Sequence, residues 1–209
     1  MHLRAHQLLA PLALCALCAC DSSKPLPPAP ARGAPLATAG QSPTRTSTTR
    51  RAAVEWPAAE RIDATAAAAL PEKSAEALRR APVPVLLPAD AALLKGGILL
   101  ASDEWYSWTA TRHLDDGAAL TLVVSGTRVV HVHAHIPPAR GTTQVRGRDA
   151  FLTRNEAVPS ATWQENGISY TVDIECSSPV DARCADEALL RELTEGLVYV
   201  GGAGEAGAR

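Results

Sequence analysis

The stretch from Ser160 to Cys176, SATWQENGISYTVDIEC, constrains this chain's fold more than any other. Asn166-Gly167 stands between two runs of alternating apolar and polar residues. That pair tolerates positive φ at both central positions of a type I′ turn, the connection whose twist matches two paired strands. A two-residue turn sets the register, because strand side chains repeat every second residue. Glu165 then faces Ile168, Trp163 faces Tyr170 and Ala161 faces Val172, all on one side with Ile174 and Cys176. Ser160, Thr162, Gln164, Ser169, Thr171 and Asp173 fall on the other. One apolar and one wet face describe an antiparallel sheet that must be covered on one side only.

The covering elements are legible on either side of the strands. Ala185 to Leu197 places Leu189, Leu190, Leu193 and Leu197 on one helical stripe, with Glu187, Arg191, Glu192 and Glu195 away from it. Residues 58 to 81 read as two short helices broken at Pro71, the second bringing Ala75, Leu78 and Ala81 together. Pro82 to Pro88 must be extended, since its prolines forbid a continuing helix. From Ile98 to Cys176 everything reads as strand. Tyr106, Trp108 and Ala110 point inward; Trp105, Ser107, Thr109 and Thr111 point outward. A three-residue loop at Ser125-Gly126-Thr127, with Gly126 left-handed, puts Leu120, Leu122 and Val124 on one face with Val130, Val132 and Ala134. The same argument at Asp116-Gly117-Ala118 sets Leu114 near Leu120 and His113 opposite Thr121. The predicted class is α+β: an antiparallel sheet covered by short N-terminal helices and a C-terminal helix.

Before this domain the chain is of another kind. Arg4 precedes an apolar stretch from Leu8 to Leu17, then small residues lead to Cys20. A basic start followed by about ten apolar residues has the form of an export signal and is shorter than the roughly 20 residues of a membrane span. The segment Leu17-Cys18-Ala19-Cys20 resembles the lipobox of bacterial lipoproteins. Cys15 is a rival with the bulkier Leu12-Ala13-Leu14 upstream. The resemblance implies removal of residues 1–19 and acylation of Cys20, which anchors the protein to a bilayer through two or three hydrocarbon chains. Asp21 resembles the signal that retains lipoproteins in the inner membrane of enteric bacteria.

Residues 20–54 are rich in Pro, Ala, Ser and Thr and read as a disordered tether, residues 55–200 as the globular domain and 201–209 as a loose tail. The tether carries net +4, while residues 55–209 hold 14 basic and 21 acidic side chains, net −7. Over the whole chain 20 basic residues stand against 22 acidic ones, which excludes the basic signature of a nucleic-acid binder. With Cys15 and Cys18 lost and Cys20 acylated, Cys176 and Cys184 remain, and in an oxidising compartment they are expected to pair. Their bridge would clamp the start of the last helix to the strand beneath it.

The order of a Trp strand, a Gly turn, a Tyr strand and a final helix loosely resembles that of uncharacterised modules in bacterial envelope lipoproteins and anti-sigma factors. Three alternating histidines, His131, His133 and His135, project from one side of a strand, and His131 and His133 with His113 are the candidate ligands for zinc or copper. Trp105 is the candidate ligand platform, able to stack on a sugar ring or peptide. No nucleophile elbow, phosphate loop or zinc-protease motif is present. The sequence therefore predicts a non-enzymatic, lipid-anchored cell-envelope protein facing the periplasm, binding an envelope protein or cell-wall partner. Its alternative is a metal-binding lipoprotein, and a resident cofactor is not expected otherwise.

Overall fold

A computed structural model of the chain describes residues 47–133, 137, 139–156, 158–178 and 181–204. Eleven strands and five α-helices lie among them. In chain order they are β1 (Ser47–Arg51), α1 (Ala64–Ala68), α2 (Glu72–Arg80), β2 (Val85–Pro88), α3 (Ala91–Gly96), β3 (Ile98–Ala101), β4 (Trp105–His113) and β5 (Ala119–Thr127). Then come β6 (Val129–His133), β7 (Thr143–Val145), β8 (Arg148–Asn155), β9 (Val158–Glu165), β10 (Ile168–Cys176), α4 (Ala182–Ala185), α5 (Glu187–Glu195) and β11 (Leu197–Gly201). The fold is α+β.

Seven strands form one antiparallel sheet in the order β3-β4-β5-β10-β9-β8-β7. The hairpin β9–β10 has the register expected from Asn166-Gly167, with Glu165 opposite Ile168, Trp163 opposite Tyr170 and Ala161 opposite Val172. Both turn residues have positive φ, 55° and 76°. On the covered face Tyr106, Trp108, Trp163, Tyr170, Val172 and Ile174 are buried. A short ribbon, β2 paired with β11, crosses this face. The two central tyrosines bolt it down: the Tyr106 hydroxyl accepts from Leu86 N at 3.0 Å and donates to Leu86 O at 3.1 Å, and the Tyr170 hydroxyl donates to Pro84 O at 2.8 Å. Burial raises the pKa of both phenols well above the ordinary value. Both therefore stay protonated and can donate.

The C-terminal helix begins where the disulfide joins it to the sheet. Cys176 and Cys184 are bridged, with Cα atoms 6.0 Å apart. The helix expected from Ala185 to Leu197 is α5, from Glu187 to Glu195, and a separate turn of helix, α4, precedes it, because Asp181 and Asp186 each take an extended cap conformation and accept a backbone N–H two residues on. Gly196 closes α5, and the run Leu197-Val198-Tyr199-Val200 then forms β11, as β-branched and aromatic residues favour.

Four further expectations are corrected. Gly126 is not in a turn: β5 runs straight through it, in register with Tyr106 and Tyr170. It is glycine because a Cβ there would stand 2.5 Å from Tyr106 Cε1. The β4–β5 loop is Asp115-Asp116-Gly117, one residue earlier than expected, so His113 pairs with Ala119 and not with Thr121. Strand β1 lies within the segment assigned to the tether and pairs with β6 in a separate two-stranded ribbon. Its side chains are all exposed, so it leaves no apolar signal; backbone pairing alone makes it a strand. Gly201 to Gly204, assigned to the tail, pack against the domain, with the Trp56 ring over Gly202 and Gly204 and Ala203 N donating to Ala81 O at 2.7 Å. Cys20 and the tether as far as residue 46 lie outside the described residues.

Candidate functional site

The uncovered face of the sheet is built by the residues that alternate with the core. Trp105, Ser107, Thr109 and Thr111 of β4 stand beside Thr121, Val123, Ser125 and Thr127 of β5 and Ser169, Thr171 and Asp173 of β10. Several hydroxyls pair across strands. Thr111 lies 3.0 Å from Thr121, Thr162 lies 3.2 Å from Thr171, and Ser160 donates to Asp173 at 2.5 Å. Such contacts hold their side chains upright on the pleat.

Ser107, Ser125 and Ser169 have no side-chain hydrogen bond among the described residues. These three short side chains, with Thr127 and Thr171, surround a depression of about 320 Å³ whose floor is the backbone at Tyr106 and Gly126. Trp105 forms its border and is 41% exposed, as the alternation of β4 requires. The lining holds no charged residue. Hydroxyl groups both donate and accept, and an indole face offers apolar contact, so the surface is complementary to a neutral polyhydroxylated ring. Along the edge, Leu100 pairs with Ser107 and Ile98 with Thr109, and both are more than half exposed. The sequence register puts Ser107 and Ser169 on the wet face and Ser125 in a turn; Ser125 instead lies within β5 opposite Ser107, and the small size of these residues gives no sign of a depression.

At the end of the covered face a polar cluster forms around Glu165, the side chain following the Trp163 position by one full pleat. Its carboxylate is 4% exposed and receives Arg146 Nε at 3.0 Å and Trp163 Nε1 at 3.2 Å, with Arg61 at 3.7 Å. The Arg61 and Arg146 guanidiniums lie 5.2 and 5.7 Å from the centre of the Tyr199 ring. Burial pushes the Glu165 carboxyl up, but the Tyr199 hydroxyl, Arg146 and Trp163 outweigh it, so it titrates below the ordinary value. A carboxylate with both oxygens engaged and a lowered pKa is a poor proton acceptor at neutral pH. This cluster is an anchor joining the N-terminal segment, the β7–β8 turn, the β9–β10 turn and β11.

Arg146 was not foreseen because arginine is not a turn residue. Yet it has φ 53°, followed by Gly147 at 70°, a second turn of the Asn166-Gly167 kind. Three bonds hold it there: its N donates to Glu195 Oε1 at 2.6 Å, its Nε to Glu165, and its Nη1 to Leu197 O at 2.6 Å.

The histidines do not converge. His131 and His133 share one side of the β1–β6 ribbon, opposite Thr49 and Ser47. His113 is at the far end of the β4–β5 pair, separated from the start of β6 by the whole of β5, roughly 26 Å for eight residue steps. His113 is therefore removed from the proposed ligand set. His135 lies outside the described residues. Among those described, no group of three His, Cys, Asp or Glu side chains gathers as a metal site would require. Among the described residues no third ligand joins His131 and His133, and two imidazoles alone do not complete a zinc or copper site.

No protein family, curated protein or solved structure matches this chain.

Proposed function

We propose that this chain is a non-enzymatic lipoprotein of the cell envelope, anchored at Cys20 and facing the periplasm, whose domain holds a neutral glycan of the cell wall. The carrying observation is the uncharged depression bordered by Trp105, with Ser107, Ser125, Thr127, Ser169 and Thr171 around it. A charged partner would find no counter-charge there, whereas sugar hydroxyls find groups that donate and accept. The Cys176–Cys184 bridge supports an oxidising compartment, since structural disulfides persist there and are rare in a reducing cytosol. The leader pattern supports the anchor.

The test is cosedimentation of the protein with purified cell-wall sacculi, before and after digestion of the glycan strands, using the parent and Trp105→Ala. Binding that needs intact glycan and falls at least tenfold in Trp105→Ala is expected. Binding that survives glycan digestion, or is indifferent to Trp105, overturns the glycan reading and leaves a protein partner on this face. Detergent partition of Cys20→Ala tests the anchor separately: a variant that still partitions with the membrane removes it.

A further inference from the structure

The sheet and α5 do not close fully at the end held by the disulfide. Between them lies a cleft of about 340 Å³, with Leu114, Leu120 and Cys176 on the sheet side and Ala188 and Leu189 on the helix side. This is the face and the end of the sheet opposite to Trp105, so the cleft is independent of the glycan reading.

Three charged residues reach the cleft, and two are already committed. Arg183 donates to Asp116 at 2.9 Å and to Asp181 at 2.5 Å. The Asp186 carboxylate caps α5 by accepting from Ala188 N at 2.9 Å. Arg112 is the exception. Its Nε is buried and has no hydrogen-bond partner among the described residues, and its nearest carboxylate, Asp90, is 3.9 Å from Nη1. A buried donor without an acceptor is costly, and guanidinium is a planar fork shaped for a carboxylate.

From this combination we infer that the cleft binds a small amphipathic carboxylate, its hydrocarbon part against Leu114, Leu120 and Leu189 and its head group on Arg112. A monoanion suits the site better than a phosphate dianion: among the described residues Arg112 is the one cation there not already hydrogen-bonded to a carboxylate, its pairing with Asp90 is long at 3.9 Å, and Asp90 and Asp186 both stand nearby. The volume lies at the low end of small-molecule sites, which span roughly 300–1,000 Å³, so the tail is of medium length. The carboxyl group has to ionise for this pairing, so binding weakens as pH falls below its own pKa.

The experiment titrates octanoate, and separately octanol, into the full chain while following the methyl resonances of Leu114, Leu120 and Leu189. Saturable shifts with octanoate are expected. Arg112→Met should weaken octanoate at least tenfold and leave octanol unchanged. Ala188→Trp, a change at an exposed helix position, should fill the cleft and abolish both without altering the melting temperature. Absence of a saturable shift, octanoate affinity unchanged in Arg112→Met, or binding that persists in Ala188→Trp each overturns the proposal. Trp105→Ala, which affects only the opposite face, should leave octanoate binding intact.

Discussion

Gly126 stands in register between Tyr106 and Tyr170, and a Cβ on it would lie 2.5 Å from Tyr106 Cε1 and 3.0 Å from Tyr170 Cε1. The two rings meet at a centroid distance of 6.5 Å, and Tyr170 stacks further on Trp163 at 5.5 Å. The missing side chain on β5, between β4 and β10, is thus what lets a row of large rings cross the sheet.

Gly126→Ala should therefore cost about 1–3 kcal/mol, the usual penalty for overfilling a packed core. Urea unfolding followed by tryptophan fluorescence measures it, with Gly117→Ala as the comparison. Gly117 has φ 82° but open space around it, so its cost comes from backbone conformation alone. A near-zero effect at Gly126 would show that the tyrosines yield readily.

The same tyrosines carry a second prediction. Tyr106→Phe keeps the ring and removes the hydroxyl that both donates to and accepts from Leu86. Two buried backbone groups lose a partner, at about 1–3 kcal/mol for each such group before relaxation. The Leu86 amide should exchange with solvent markedly faster in Tyr106→Phe, and hydrogen exchange reads this directly. Unchanged protection at Leu86 would mean that β2 is held by its pairing with β11 alone.

What the sequence made legible follows from which physical signals are local. The β9–β10 hairpin could be read to the residue because two-fold alternation and a turn of defined φ act within seventeen positions. Trp105 and Tyr106 were assigned to opposite faces correctly for the same reason. Gly126 was misread because glycine serves two ends, a left-handed turn and a close ring contact, and only distant Tyr170 distinguishes them. Strand β1 escaped because it contributes backbone pairing and no buried side chain. The Arg61–Arg146–Glu165–Tyr199 cluster joins four segments far apart in sequence, so no spacing announces it. Glu165 alone could have signalled it, as a carboxylate assigned to the apolar face that must find partners.

That buried carboxylate makes stability depend on pH in a defined direction. The folded-state pKa of Glu165 lies below the unfolded value of about 4.3. Its contribution is therefore complete above that value and is lost as pH falls through the folded-state pKa. Glu165→Gln should destabilise the protein by about 3 kcal/mol at pH 7, since it leaves Arg146 without its counter-charge in a nearly buried position. The gap between parent and variant should narrow below about pH 4. Thermal unfolding of both proteins from pH 3 to 8 checks the sign: a gap that widens on acidification contradicts the assignment.

The disulfide offers the last prediction, because its effect can be separated from that of the helix it holds. Cys176 and Cys184 are eight positions apart, and closing so short a loop restricts the unfolded chain by about 2.5 kcal/mol in the chain-entropy account. Dithiothreitol should lower the parent's stability by about that amount. A Cys176→Ala, Cys184→Ala double variant should be equally weakened but insensitive to the reagent. Both sulfur atoms belong to buried residues, so reduction should be slow in the folded state and should accelerate in mild denaturant. Below the bridge, α5 still rests on the sheet through Leu190, which is wholly buried, and Arg191 still reaches Thr143 Oγ1 at 3.0 Å. Loss should therefore be local at first: faster hydrogen exchange in α4 and the first turn of α5, with β9 and β10 unchanged. If the whole sheet exchanged faster on reduction, the bridge would be holding the core itself and not just the start of the helix.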